Sequence, residues 1–191
     1  REAFTWQRLH HINIVPFLGI ADYAKIRPGV IPQLCLVSPW MAGGNIMDYL
    51  KTNPTASPFP LMMGIVEAVS YLHSLPSGPI VHGDLKGNNI LMDVRGSVPI
   101  ARLIDFGLAQ IMEAGMEDDA GTTSTGYNGN ARWLAFERLL PERYGLRQAE
   151  TKTTVSDIFE LMRTFFEVRN RLNALRSWLT HRLDSDRRAA V

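Results

Sequence analysis

HGDLKGNNILMD, His82 to Asp93, and IDFGLA, Ile104 to Ala109, are the stretches that decide the fold. The first sets Asp84, Lys86 and Asn89 close together, and the second puts Asp105 ahead of Phe106 and Gly107. A carboxylate can orient a hydroxyl and take its proton, while an amide oxygen with a second carboxylate offers the hard donors that magnesium prefers. Each motif alone has a plain reading: HGD as a turn around a buried histidine, DFG as an acidic turn after a strand. Both together, in this order and at this gap, describe one site.

Outward from the motifs, the pattern alternates short strands and helices. Ile90 to Met92 and Ala101 to Ile104 read as short strands flanking the motif loop. Leu61 to Leu75 carries Met62, Ile65, Val66, Val69 and Leu72 at helical spacing, stopped by Pro76 to Pro79. Three prolines make Asn53 to Pro60 a loop, and Asn45 is an N-cap for a short helix to Lys51. Ile14 to Ala21 and Gln33 to Ser38 read as neighbouring strands joined by the Lys25–Pro32 turn region. Residues 1–11 read helical, and Thr153 to Val168 reads as a buried helix. Gly115 to Asn130 reads as a mobile loop, and from Arg169 the chain turns into an Arg-rich amphipathic pattern.

Composition narrows the class. The chain has 191 residues, 46% hydrophobic and 20% charged, with a formal net charge of +1. That is one domain with a real core and no bulk charge favouring nucleic acid or a membrane surface. The single Cys35 has no internal disulfide partner, which fits a reducing, cytoplasmic setting. No apolar run approaches the ~20 residues of a membrane span. The first residue is Arg1, with no charged-then-apolar leader behind it, so the expectation is a piece of something longer.

Phosphoryl transfer needs both kinds of group found in the two motifs. They resemble the catalytic core of eukaryotic-type protein kinases, nearest the tyrosine-kinase-like group of Ser/Thr kinases, over about Glu2 to Val168. The resemblance implies an α+β fold, mainly the helical C-lobe with a remnant of the N-lobe sheet. It implies catalytic roles for Asp84, toward the substrate hydroxyl, and Lys86, toward the transferred phosphate. Asn89 and Asp105 become the magnesium ligands. CLVSPWMAGGNIMDYL resembles the segment linking the lobes, where Ser38 would guard the deep pocket, the Pro39 C=O and Met41 N–H would hold adenine, and Asp48 would lie near the ribose. Leu91 joins these as a nucleotide-binding candidate. EAFTWQRLHHINI resembles the end of the regulatory helix, with Glu2 in place to pair with a phosphate-gripping lysine. Asp157, in SDIF, resembles the buried aspartate that hydrogen-bonds the catalytic-loop backbone.

The chain departs from the family pattern in several places. The glycine-rich loop and the strand lysine should precede Glu2, and these residues begin too late to hold them. Gly83 stands where most kinases carry the arginine that receives an activation-loop phosphate, so an Arg–phosphate switch through Thr122 to Thr125 or Tyr127 is not expected. Phe136 replaces the proline of Ala-Pro-Glu, Asn130 replaces a threonine, and Leu161 and Met162 replace a Phe-Gly. The expectation is therefore a partial kinase domain over 1–168 and an atypical basic tail over 169–191. Its function would be transfer of the ATP γ-phosphate to Ser or Thr of a protein substrate, with ATP and Mg2+ as cofactors. This stretch by itself is expected to have low activity or none. The alternatives are an inactive, nucleotide-binding pseudokinase scaffold, or a truncated product that exposes apolar surface.

Overall fold

The structure is a computed structural model, which describes residues 2–29, 31–111 and 131–170. Helix α1 (Glu2–Trp6) is shorter than the pattern over 1–11 suggests. The chain tightens after it through Arg8 N–H to Thr5 O (3.3 Å) and Leu9 N–H to Trp6 O (3.0 Å). The Trp6 indole N–H then donates to the Val15 carbonyl at 2.7 Å, folding the chain back over its own helix.

Strands β1 (Gly19–Asp22) and β2 (Leu34–Val37) pair antiparallel, from Gly19 opposite Val37 to Asp22 opposite Leu34. The expected strand over Ile14 to Ala21 is split. Pro16 has no N–H to give a ladder, so Ile14 makes one isolated bridge to Leu103 and pairing with β2 starts only at Gly19. A one-turn helix, α2 (Tyr23–Ile26), fills the connection, capped by the Asp22 carboxylate accepting from Ala24 N–H at 3.0 Å.

Helix α3 (Ile46–Thr52) starts as expected at Asn45, whose side chain accepts from Asp48 N–H at 2.9 Å. Helix α4 (Pro58–His73) starts earlier than expected. Pro58 opens it at a position whose N–H would have no helical partner, so two of the three prolines lie inside the first turn and the loop shortens. Leu61, Met62, Ile65, Ala68, Val69 and Leu72 form its buried stripe.

Two antiparallel pairings then set the site. β3 (Ile80–Val81) pairs with β6 (Gln110–Ile111), and β4 (Ile90–Asp93) pairs with β5 (Ile100–Leu103). The first motif runs from β3 to β4 and the second from β5 to β6, so closing both pairs brings the motifs side by side. Behind them lie α5 (Phe136–Leu139) and α6, residues 154–170. Phe136 is the first residue of α5, where a proline would also be tolerated. It packs edge-on to Phe159 at 5.6 Å. In α6, Asp157, Glu160, Leu161, Thr164 and Val168 are buried, while Val155, Ile158, Met162 and Phe166 are exposed along another face. The expected mobile loop, Asn130, the Thr122–Tyr127 hydroxyls and the basic tail past residue 170 lie outside the described residues.

Candidate active site

Asp84 is the hub of the motif loop. Its carboxylate Oδ2 accepts from Lys86 Nζ at 2.6 Å and from Asn89 Nδ2 at 2.8 Å, and the same Nδ2 donates to the Asp84 carbonyl at 2.9 Å. Asn89 thus uses its N–H2 within the loop, on both the carbonyl and the carboxylate of Asp84. A 3-10 turn, Gly87–Asn89, makes this possible by curling the chain back under Asp84. A Cβ on Gly87 would sit 2.6 Å from Met47 Sδ, so a larger residue there would make the methionine side chain shift. Asp84 and Asn89 are each 7% exposed, so these groups act where water is scarce.

His82 carries the link to the second motif. It is fully buried, its Nδ1 accepts from Asp84 N–H at 3.2 Å, and its Nε2 lies 3.2 Å from the Ile104 carbonyl. A carbonyl can only accept, so the proton sits on Nε2 and the ring is neutral. Burial pushes the His82 pKa down, against the pull of Asp157. Phe106 stands edge-on to this ring at 5.2 Å and beside Trp6 at 6.0 Å, buried as expected of an inward-packing DFG phenylalanine. Ile104 N–H also donates to the Asn89 carbonyl at 3.0 Å, so the strand leading into Asp105 is tied to the other metal-ligand candidate.

Asp105 is exposed and has φ +72°, a left-handed conformation rare for a residue with a side chain. Its Oδ1 accepts from Gly107 N–H at 3.3 Å. Glu2 comes to the same place: a Cβ on Gly107 would lie 3.3 Å from Asp105 Oδ1 and 3.4 Å from Glu2 Oε2. Partial burial and the Asp105 charge both raise the Glu2 pKa. Glu2 therefore faces the DFG aspartate, a pair of acids that a cation between them would favour.

The linker candidates follow β2. Ser38 and Pro39 are half-buried, Met41 is buried and Trp40 is 85% exposed. No hydrogen bond among the described residues uses the Pro39 carbonyl or the Met41 N–H. The segment is latched to β4 by Gly43 N–H to Met92 O (3.2 Å) and Met92 N–H to Gly44 O (2.8 Å), which sets half-buried Leu91 opposite Asn45. Only glycine permits this approach, because a Cβ at 43 would lie 2.7 Å from both Met92 Cβ and Met92 O. Asp48 is exposed on the first turn of α3 and accepts from Asn45 Nδ2 at 2.8 Å.

Beneath the loop, Asp157 accepts from His82 N–H and Gly83 N–H at 2.8 Å each and lies 2.9 Å from His73 Nε2. Two residues that sequence reasoning missed join it. Arg138 and Glu160 form a buried ion pair that also reaches the loop backbone. Burial raises the Glu160 pKa to about 7, with Arg138 pulling it back. The spacing could have found Glu160, since it shares the α6 face of Asp157, Leu161 and Thr164. Trp133 and Glu167 were also missed; Glu167 Oε2 accepts from the Trp133 indole at 3.0 Å and from Gly87 N–H at 3.4 Å.

An HGD loop and a DFG turn joined through a buried histidine, beside a glycine-latched linker, define a kinase-type catalytic lobe. The chain belongs to the protein kinase domain family, whose pattern matches residues 1–177. It is 33% identical over 141 residues to serine/threonine-protein kinase STY46 of Arabidopsis thaliana, covering 72% of this chain and 21% of that protein. It is 34% identical over 142 residues to serine/threonine-protein kinase VIK of the same plant, covering 72% of this chain and 30% of that protein. A third Arabidopsis relative, serine/threonine-protein kinase STY17, is 29% identical over 151 residues, covering 77% of this chain and 23% of that protein. The chain thus spans less than a third of the length of these relatives.

Proposed function

We propose that this chain carries the catalytic residues of a Ser/Thr protein kinase that uses Mg-ATP. The observation that carries the reading is the convergence of Lys86 and Asn89 on one buried carboxylate oxygen of Asp84. The donor set fits magnesium: the Asn89 amide oxygen and the Asp105 carboxylate are both hard oxygen ligands. Bound Mg-ATP supplies the phosphoryl group and the metal charge that offsets its oxygens.

The chain's own residues do the rest. Asp84 orients a substrate Ser or Thr hydroxyl and receives its proton. Lys86, already 2.6 Å from Asp84, brings a cation to the oxygens that gain charge. Asn89 ties the two roles by holding Asp84 through Nδ2 while offering Oδ1 to the metal. Ser38, Pro39, Met41 and Leu91 line the adenine side, Asp48 the ribose side, and Glu2 faces Asp105. Among the described residues no helix is long and apolar enough to cross a membrane.

The test incubates the 191-residue chain with radiolabelled Mg-ATP and a generic basic protein, followed by phosphoamino-acid analysis. Phosphoserine or phosphothreonine should form and should fall roughly 100-fold or more in Asp84→Asn, the scale at which a positioned acid–base group acts. Incorporation equal in wild type and Asp84→Asn would overturn the reading, whereas none in either would match the expectation that this stretch by itself has low activity or none. Nucleotide binding without transfer would instead favour the scaffold alternative.

A further inference from the structure

We propose that the buried Arg138–Glu160 pair is a positioning element that grips the peptide units on both sides of Asp84 and so fixes the direction of its carboxylate. The two residues come from different helices, α5 and α6, and are 6% and 0% exposed. Arg138 Nη1 donates to Glu160 Oε1 and, at 2.9 Å, to the Gly83 carbonyl. Glu160 Oε2 accepts from Leu85 N–H at 3.3 Å. Asp84 is the residue between those two contacts. One turn along α6, Thr164 Oγ1 donates to the Leu85 carbonyl at 3.2 Å.

Stability alone does not account for the pair. A buried ion pair is often no better than apolar side chains of equal volume, because both charges are stripped of water. Here each partner also holds a backbone group of the loop, and those groups would be orphaned without it. Gly83, one residue before Asp84, has φ +75°, in the left-handed region, and glycine itself restrains the backbone least there. Asp157 fixes the N–H side of His82 and Gly83, and the pair fixes the Gly83 carbonyl and the Leu85 N–H. The effect on transfer rests on the kinase reading; the grip itself does not.

The experiment uses the full chain as wild type, as Glu160→Gln, and as the double variant Arg138→Met with Glu160→Leu. In wild type, the Leu85 amide should exchange as slowly as the amides of α4. In the double variant exchange over residues 82–85 should rise about tenfold or more, and the melting temperature should fall as the Gly83 carbonyl and the Leu85 N–H lose their buried partners. Glu160→Gln keeps a carbonyl for Leu85 and should stay within roughly threefold of wild type in exchange. Phosphotransfer in the double variant should fall roughly 10- to 100-fold in kcat, with KM for ATP within about twofold, because orientation is lost and nucleotide contacts are not.

A folded double variant with wild-type exchange over 82–85, or with wild-type kcat, would overturn the proposal. If that variant does not fold, the wild-type arm decides: a Leu85 amide exchanging at the rate of an unstructured peptide overturns it. If wild type transfers no phosphate, the exchange arms alone decide the grip.

Discussion

Replacing Asp157 by alanine is expected to be among the most damaging single changes in the described fold. The carboxylate is fully buried and accepts two backbone N–H groups of the motif loop at 2.8 Å, besides its contact with His73. Each orphaned buried donor costs about 1–3 kcal/mol, so the two amides together give about 2–6 kcal/mol before any cavity is counted. That is comparable with the whole unfolding free energy of a marginal domain, about 5–15 kcal/mol. Asp157→Asn keeps one carbonyl oxygen and turns an N–H2 toward the other amide, so about half of the loss should remain. Urea unfolding followed by tryptophan fluorescence reads both values, with wild type alongside. An alanine variant within about 1 kcal/mol of wild type would refute the reasoning, since it would mean that the loop amides find water or another acceptor at no cost.

Two further outcomes follow from the geometry. Gly43→Ala should destabilise the chain by about 1–3 kcal/mol, the usual range for overpacking, and should shrink any Mg-ATP-induced rise in Tm. Its Cβ would strike the Met92 backbone, and unchanged melting with and without nucleotide would rule that out. The second concerns pH. Glu160 is raised from 4.5 to about 7, so the fold favours its protonated form; that contribution is complete below pH 4.5 and is lost as pH rises through about 7. Across that window wild type should lose about 3 kcal/mol relative to Glu160→Gln. Buried, neutral His82 acts the other way, removing stability as pH falls below 6.5, but it is common to both proteins and cancels in the difference. Parallel stability curves for the two proteins would contradict the assignment.

Much of the site could be read from the sequence because its key contacts are local. Asp84, Lys86 and Asn89 are close in sequence and meet because the 3-10 turn Gly87–Asn89 curls the chain back, and Asn45 caps its own helix, so residue type and spacing suffice. The strands around the motifs were also legible, since Ile90–Asp93 and Ile100–Leu103 are short apolar runs between polar turns. Helix starts were misjudged where one residue type has two meanings: Pro58 and Pro60 looked like loop formers, yet proline suits a first turn. The helix over 1–11 was overdrawn because the Trp6 to Val15 hydrogen bond, which turns the chain, spans nine residues. Arg138 and Glu160 were missed for the same reason at longer range. They stand 22 residues apart, and although helical spacing puts Glu160 on the face of Asp157, nothing local marks Arg138 as its buried partner.

The central proposal is that Asn89 and Asp105 hold the metal of a nucleotide site beside Asp84 in this chain. A thermal melt of the 191-residue protein with and without Mg-ATP, beside Asp105→Asn, tests it most directly. The account predicts a cooperative melt, a rise in Tm of a few degrees at saturating nucleotide, about that produced by 1–2 kcal/mol of linked binding, and loss of the rise in Asp105→Asn. A cooperative melt that Mg-ATP does not move, or an equal shift in Asp105→Asn, would contradict it.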